Sequence, residues 1–452
     1  MTEILHTTLA FVVAIALLIA VHEYGHFSIA RRLGIKVEKF SIGFGPALFS
    51  WRSKDQEVLY VIAAIPLGGY VKMLGENPDE LEEGQTSSLS EKDKGRAFNV
   101  QPVWKRAAVA AAGPAYNFVF AVFAYMVVGW LGQSVLPTIV GHVSPASVAE
   151  QSGLQVGDRV LAIEGREVHS WQQMEELLKH RVGGQAELEI ARDEQTLALN
   201  VMLAEQEKDP LLIDVAGQVL GFTPGLLVSV DEVVESSPAR QAGLLKGDII
   251  QQINGVAVNN VNQFIEQVKN HADRAVKVVV KRDQTLLELE VIPAVDQNQQ
   301  GRIGVRLSSQ AAHGTELYRM GVLDGVQYGF VRTWEMTVLT LGVFAKMVTS
   351  AISPDNLGGP IAIAQLAGKT ADMGLVYFLS FLALISVNLG VLNLLPIPIL
   401  DGGLLVYLGL EKLRGKALSP RFLEITQFMG LALIVTLMVY AFYNDLSRLF
   451  RG

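Results

Sequence analysis

The sequence predicts a multi-span α-helical membrane protein with four transmembrane helices, a membrane-associated β-hairpin and two tandem α+β domains. Three observations carry this. The 452 residues are half hydrophobic, but the apolar residues concentrate near both ends, in runs over about 4–30, 103–131, 376–400 and 422–443. Each run is long enough to cross a bilayer, for which about 20 residues suffice. Between the second and third runs the composition turns soluble. That soluble stretch repeats itself: Ser152-Gly153-Leu154-Gln155-Val156-Gly157-Asp158 returns 90 residues later as Ala242-Gly243-Leu244-Leu245-Lys246-Gly247-Asp248.

The net charge is −8, with no basic tract, so nucleic acid is not an expected partner; the expected surroundings are the lipid bilayer. There is no cysteine, which excludes disulfides and thiolate metal sites.

The first apolar run holds His22-Glu23-Tyr24-Gly25-His26. In a helix, residues four apart share a face. Two imidazoles one turn apart can grip a single metal ion, with the adjacent carboxylate as general base: the H-E-x-x-H pattern of zinc peptidases. Five-residue motifs also arise by chance on soluble helices. Within a membrane span, however, an ionisable residue costs about 3 kcal/mol and marks function. The run is too long for a signal peptide and ends in Arg31-Arg32 rather than a cleavage site, so a retained helix is expected. The motif lies about 13 Å from those arginines along the helix, near one membrane face.

The segment to about Pro102 is rich in Lys and Arg and is therefore expected on the cytoplasmic side. Within it, Val58–Met73 reads as a hairpin turning at Pro66 and Gly68-Gly69. It is either a plain small sheet or an edge that pairs with an extended substrate. Residues 75–99 are polar and acidic and read as a mobile loop. The second run carries Gly113-Pro114 and Asn117, where small residues and a helix break favour close packing on another helix.

The domain boundaries follow: 1–131 for the N-terminal membrane part, 132–220 and 221–310 for the two repeats, 311–372 for a linker with an amphipathic helix, and 373–452 for the C-terminal membrane part. Each repeat resembles a bacterial PDZ domain through its G-L-x-x-G-D signature. Such domains grip peptide termini or extended strands; the lesser alternative is two spacer domains that bind nothing. The third run ends in Asn393-Leu394-Leu395-Pro396-Ile397-Pro398-Ile399-Leu400-Asp401-Gly402-Gly403, where two prolines must break the helix. Non-helical backbone at membrane depth marks a sheltered cavity. If 323–352 lies on the membrane surface instead of crossing, Asp401 emerges on the same side as His22 and both chain ends lie outside.

With H-E-x-x-H in one span and N-x-x-P-x-P-x-L-D-G in another, the chain resembles the site-2 protease family of intramembrane zinc metalloproteases. The two PDZ-like units and four spans resemble the regulator of sigma-E protease (RseP) group. The resemblance covers nearly the whole chain. It implies Zn2+ held by His22, His26 and Asp401, with Glu23 as the catalytic base. It also implies substrate held by Asn393 and by the β element around Gly68 and Gly69. It further implies a bacterial inner membrane protein with periplasmic PDZ units and an active site near the cytoplasmic face. The implied substrates are single-span proteins already trimmed outside, such as an anti-sigma factor, together with signal-peptide remnants. Leu404 departs from the family pattern, which often has histidine there. Two other readings compete. A non-enzymatic PDZ scaffold sensing misfolded envelope proteins has no need of Glu23. A metal transporter calls for polar residues along several helices, and the second and fourth runs are almost wholly apolar.

Overall fold

The structure is a computed structural model that describes residues 2–76, 91–206, 213–258, 260–283, 285–296, 299–311, 314–348 and 359–451. Most of the acidic segment read as a loop, residues 77–90, lies outside the described residues. The chain forms two compact units, Met1–Gln133 with Arg319–Gly452, and Ser134–Tyr318.

The first unit is built on α1 (Thr2–Arg32), β1 (Val37–Arg52), β2 (Leu59–Met73), α2 (Val103–Leu131), α3 (Val322–Val348), α4 (Pro360–Met373), α5 (Leu375–Leu394), α6 (Asp401–Arg414) and α7 (Pro420–Arg451). Four of them, α1, α2, α5 and α7, are long and apolar enough to cross a membrane. Small side chains set the packing. Ala10, Ala14 and Leu18 of α1 are buried against Ala367 of α4 and Phe381 and Leu382 of α5. Ala121 and Ala124 of α2 meet Ala383, Val387 and Val391 of α5. Side chains this short let helix backbones approach closely, which is how helices associate where lipid supplies no hydrophobic drive.

The expected break at Gly113-Pro114 does not occur: α2 runs through Pro114 without interruption. Proline removes one helix hydrogen bond, and membrane helices tolerate this when a neighbour takes up the freed groups. The amphipathic segment is helical as α3 and falls outside the four membrane-length helices. It does not lie apart from them. It packs lengthwise on α2, where a Cβ at Gly329 would meet Val122 O at 2.6 Å, and it reaches α5 through Thr340 Oγ1, which donates to Asn388 Oδ1 at 2.8 Å.

The β element differs from the expected hairpin. The chain reverses at 53–58, where Ser53 N bonds Val58 O, not at Gly68-Gly69. Lys39–Ile42 of β1 is flanked on one side by Gly69–Lys72 and on the other by Leu59–Ile62, and the outer edge is formed by Phe49–Arg52. The residues before and after Pro66 therefore straddle β1 instead of pairing with each other. Pro66 has no N–H for a ladder, and a Cβ at Gly68 would lie 2.0 Å from the Phe44 ring, so the glycine makes room for β1 to pass between.

In the second unit the repeat returns in the hairpin, the strand before it and the buried clamp on the signature aspartate, while the second repeat's sheet carries two further strands. The first repeat has strands ordered 166–167, 159–163, 185–192 and 195–202; the second has 285–291, 276–282, 249–253, 226–233 and 305–311. Phe222–Thr223 pairs with His142–Val143, so the first repeat extends slightly past residue 220. Each carries a nine-residue helix, Trp171–Lys179 or Val261–Lys269, capped by Ser170 or Asn260, and a four-residue turn of helix, Val148–Gln151 or Pro238–Gln241. In each, the signature aspartate is clamped by an arginine from the neighbouring hairpin. Arg192 Nε and Nη2 reach Asp158 at 2.7 and 2.6 Å, and Arg282 Nε and Nη2 reach Asp248 at 2.7 and 2.8 Å. The same guanidinium group also donates to Gly153 O or Gly243 O, tying the turn to the sheet.

Asp248 is 1% exposed. Burial alone raises its carboxyl pKa; the Arg282 guanidinium and the Leu245 N–H outweigh this and hold it below the ordinary value. Its contribution to stability is therefore present above the unfolded carboxylate pKa and lost as pH falls through the folded one. Arg282→Ala strands that charge. The expected cost is about 3 kcal/mol, the low end for breaking a buried pair because Arg282 is itself partly exposed. Chemical denaturation of the variant checks this; unchanged stability contradicts it.

Candidate metal centre

The H-E-x-x-H residues fall in the second half of α1, where His22 and His26 turn one face towards α2 and the start of α6. α6 begins at Asp401, directly after the break at Pro396 and Pro398. The loop between folds back on the helix start. A Cβ at Gly402 would lie 2.2 Å from Leu395 O, and one at Gly403 2.3 Å from Ile397 O, so only glycine fits at either position. Ile399 adopts φ 86°, a strained conformation for a β-branched residue. The two glycines thus let the broken backbone present Asp401 to the histidines.

His22 Nε2 stands 3.2 Å from Asp401 Oδ2, His26 Nε2 stands 3.4 Å from Asp401 Oδ1, and the two Nε2 atoms are 3.2 Å apart. Ligand atoms about 2.0–2.1 Å from one tetrahedral centre are separated by about 3.3–3.4 Å. The protonation pattern agrees. His26 Nδ1 lies 2.8 Å from Val109 O. A carbonyl only accepts, so Nδ1 carries the proton and Nε2 offers its lone pair. Asp401 Oδ2 is buried and has no hydrogen-bond partner among the described residues. Such an orphaned carboxylate oxygen calls for a partner from outside the chain, and a cation supplies one. Two imidazoles and a carboxylate form the donor set of catalytic zinc sites, which keep a fourth position open. The residues fit zinc.

α2 closes the other side. A Cβ at Gly113 would lie 2.3 Å from His26 Nε2 and 2.7 Å from His22 Cε1, and one at Gly25 would lie 2.4 Å from Ala112 O. α1 and α2 therefore approach closely beside the two imidazoles.

A model of peptidase family M50 matches residues 10–437. The chain belongs to peptidase family M50. Peptidases of this family use zinc, so this is a zinc metallopeptidase, and its membrane-length helices make it a multi-pass membrane protein. It is similar to Protease RseP of Yersinia pestis, at 39% identity over 99% of this chain and 100% of the relative. It is also similar to regulator of sigma E protease of Haemophilus influenzae, at 37% over 97% and 98%, and to regulator of sigma-E protease RseP of Salmonella typhimurium, at 37% over 99% and 100%. Among solved structures, a PDZ domain from Listeria innocua matches 18% of the chain and 92% of its own at 28% identity, with a TM-score of 0.17.

The remaining predicted residues of this M50 peptidase separate into those at the centre and those away from it. β2 passes directly over Glu23: a Cβ at Gly69 would lie 2.9 Å from Glu23 Cγ and 2.8 Å from Ile19 Cγ2. Gly68 instead abuts Phe44. Asn393 sits half-buried near the end of α5, and its side chain makes no hydrogen bond among the described residues. Leu404 packs on the cluster formed by Phe27, Ala30 and Val109, in an apolar setting.

Other contacts of the M50 peptidase were not visible beforehand. Arg106 of α2 grips Glu411 of α6 through both ends, at 3.1 and 2.5 Å, and so fixes the helix that carries Asp401. Asn117 of α2 is fully buried, with Nδ2 3.1 Å from His22 Nδ1. The available signal was spacing: Asn117 lies four residues after Gly113, on the face that meets the histidines.

Proposed function

We propose that the chain is an intramembrane endopeptidase in which His22, His26 and Asp401 hold the zinc and Glu23 is the general base. The observation carrying this is the spacing of the three ligand groups, 3.2–3.4 Å, beside a carboxylate on a helix long enough to span the bilayer. When bound, zinc supplies a Lewis acid for the scissile carbonyl and lowers the pKa of a water towards roughly 7. The protein groups do the rest. Glu23 takes a proton from the attacking water and delivers it to the leaving nitrogen. Val109 O keeps the His26 proton on Nδ1. A helical peptide bond is shielded by its own hydrogen bonds, so the substrate must unwind locally. The strand at Gly69 and the free amide of Asn393 hold the extended stretch, the strand by backbone pairing.

The proposed substrates are single-span membrane proteins, an anti-sigma factor trimmed on its outer side among them, and signal-peptide remnants. The support is the naming of relatives as regulators of sigma E. In this reading the chain sits in a bacterial inner membrane with its two repeats in the periplasm and the metal near the cytoplasmic face. Support for the orientation comes from the basic residues of the segment after α1 and of the junction between α6 and α7: Lys412 and Arg414 in the last turn of α6, Lys416 in the loop and Arg421 at the start of α7. The repeats then screen out substrates whose outer domain is intact.

Purified protein in liposomes, given a single-span reporter in trimmed and untrimmed forms, tests the function. The expected result is cleavage of the trimmed form, stopped by a chelator and restored by zinc. No cleavage of either form by zinc-loaded protein sinks the substrate assignment, and equal cleavage of both sinks the screening role.

A further inference from the structure

Asn117 is 0% exposed in the apolar stretch of α2 that follows Lys105 and Arg106. Its side-chain nitrogen lies 3.1 Å from His22 Nδ1, and its Oδ1 is buried without a hydrogen-bond partner among the described residues. Its backbone carbonyl accepts from Ser386 Oγ of α5 at 2.8 Å, so the residue is fixed from two sides. A residue there only to pack would be apolar, because one end of this amide is left without a partner among the described residues in either orientation. The amide therefore has a task on the ring it touches.

We infer that Asn117 is the positioning residue of His22, accepting the His22 Nδ1 proton through its side-chain carbonyl so that Nε2 is held ready for the metal. The inference rests on the reading of His22 as a zinc ligand. An imidazole that gives Nε2 to a metal carries its proton on Nδ1, and that proton needs an acceptor to fix both tautomer and ring plane. His26 already has one in Val109 O. For His22 the group within reach is the Asn117 amide, whose oxygen and nitrogen exchange places by a half-turn about the last side-chain torsion. That half-turn gives the orphaned oxygen its partner. The two ligand imidazoles are then oriented by different means on the same helix, one by a backbone carbonyl and one by a side chain. Through Ser386, α5 joins α1 and α2 in setting the site.

The test measures zinc affinity of metal-free protein in detergent by competition with a chromophoric chelator, with the cobalt(II) absorption spectrum as a second readout of ligand geometry. Asn117→Leu keeps the branched outline, with bulkier methyl groups, and removes the acceptor; zinc binding weakened about 10–100-fold is expected, the usual cost of losing a partner behind a metal-bound histidine. Asn117→Asp keeps an acceptor and removes the donor; affinity equal to or tighter than the parent is expected, with the cobalt spectrum unchanged. Parental affinity in Asn117→Leu overturns the inference, as does an Asn117→Asp protein that folds but binds as weakly as the leucine variant. If Asn117→Leu does not fold, the aspartate variant decides alone: tenfold weaker binding in it overturns the inference. His22→Ala separates this from the underlying reading. Zinc retained there means that His22 is not a ligand. Zinc lost there while Asn117→Leu binds normally refutes only the role of Asn117.

Discussion

Replacing Glu23 by glutamine leaves zinc in place and lowers the rate of peptide hydrolysis by about 10²–10⁴-fold, the contribution of a positioned general base. The structure makes this a clean substitution. Glu23 sits beside His22 in sequence but is not one of the three clustered ligand groups. Glutamine has nearly the same shape, so the close approach of Gly69 to the Glu23 side chain is kept. What is lost is the ability to take a proton from water and pass it on. Metal analysis alongside single-turnover cleavage of a single-span reporter separates the two properties. Turnover near that of the parent shows that the base lies elsewhere. Loss of zinc together with activity shows that Glu23 acts on the metal site instead of on the water.

The second large effect is expected at a residue with no side chain. Gly113→Leu places a Cβ 2.3 Å from His26 Nε2 and 2.7 Å from His22 Cε1. Contacts below 3.0 Å force something to move, and the movable groups here are the imidazoles. The same substitution in an ordinary core costs about 1–3 kcal/mol of overpacking strain. Here the strain falls on the metal seat. Zinc affinity is expected to drop by at least about 100-fold, beyond the usual loss of an outer contact, while the helices remain formed. Gly409 of α6 has nothing within 4 Å of an added Cβ, so Gly409→Leu serves as the control and should bind zinc normally. Normal zinc content in Gly113→Leu contradicts the crossing of α1 and α2 at the histidines.

Much of the site was legible because it is local. Four-residue spacing puts His22 and His26 on one face of any helix, and two prolines in an apolar run force the break that delivers Asp401. The duplication was legible because Gly153-Leu154 and Gly243-Leu244 stand in matching frames. What escaped the sequence depends on distant partners. The arginines that clamp Asp158 and Asp248 lie 34 residues further on, on the edge of a hairpin that periodicity does not align. Asn117 meets His22 across 95 residues. The β element misled for a physical reason. Pro66 and Gly68-Gly69 carry real turn chemistry, but what they enable is passage around β1, and no local rule says which strand will fill the gap. The Gly113-Pro114 pair misled similarly: proline breaks a helix in water, whereas a packed membrane helix keeps its course and uses the small residues for contact.

The central claim is that three side chains from two separate parts of the chain hold one zinc ion. It is tested most directly by zinc content of the purified protein, parent against Asp401→Ala. Two neutral imidazoles lack both the third ligand and the negative charge of the carboxylate, so the account predicts about one zinc per chain in the parent, as a single catalytic site requires, and a small fraction of that in the variant. Full occupancy in Asp401→Ala contradicts it and places the third ligand elsewhere.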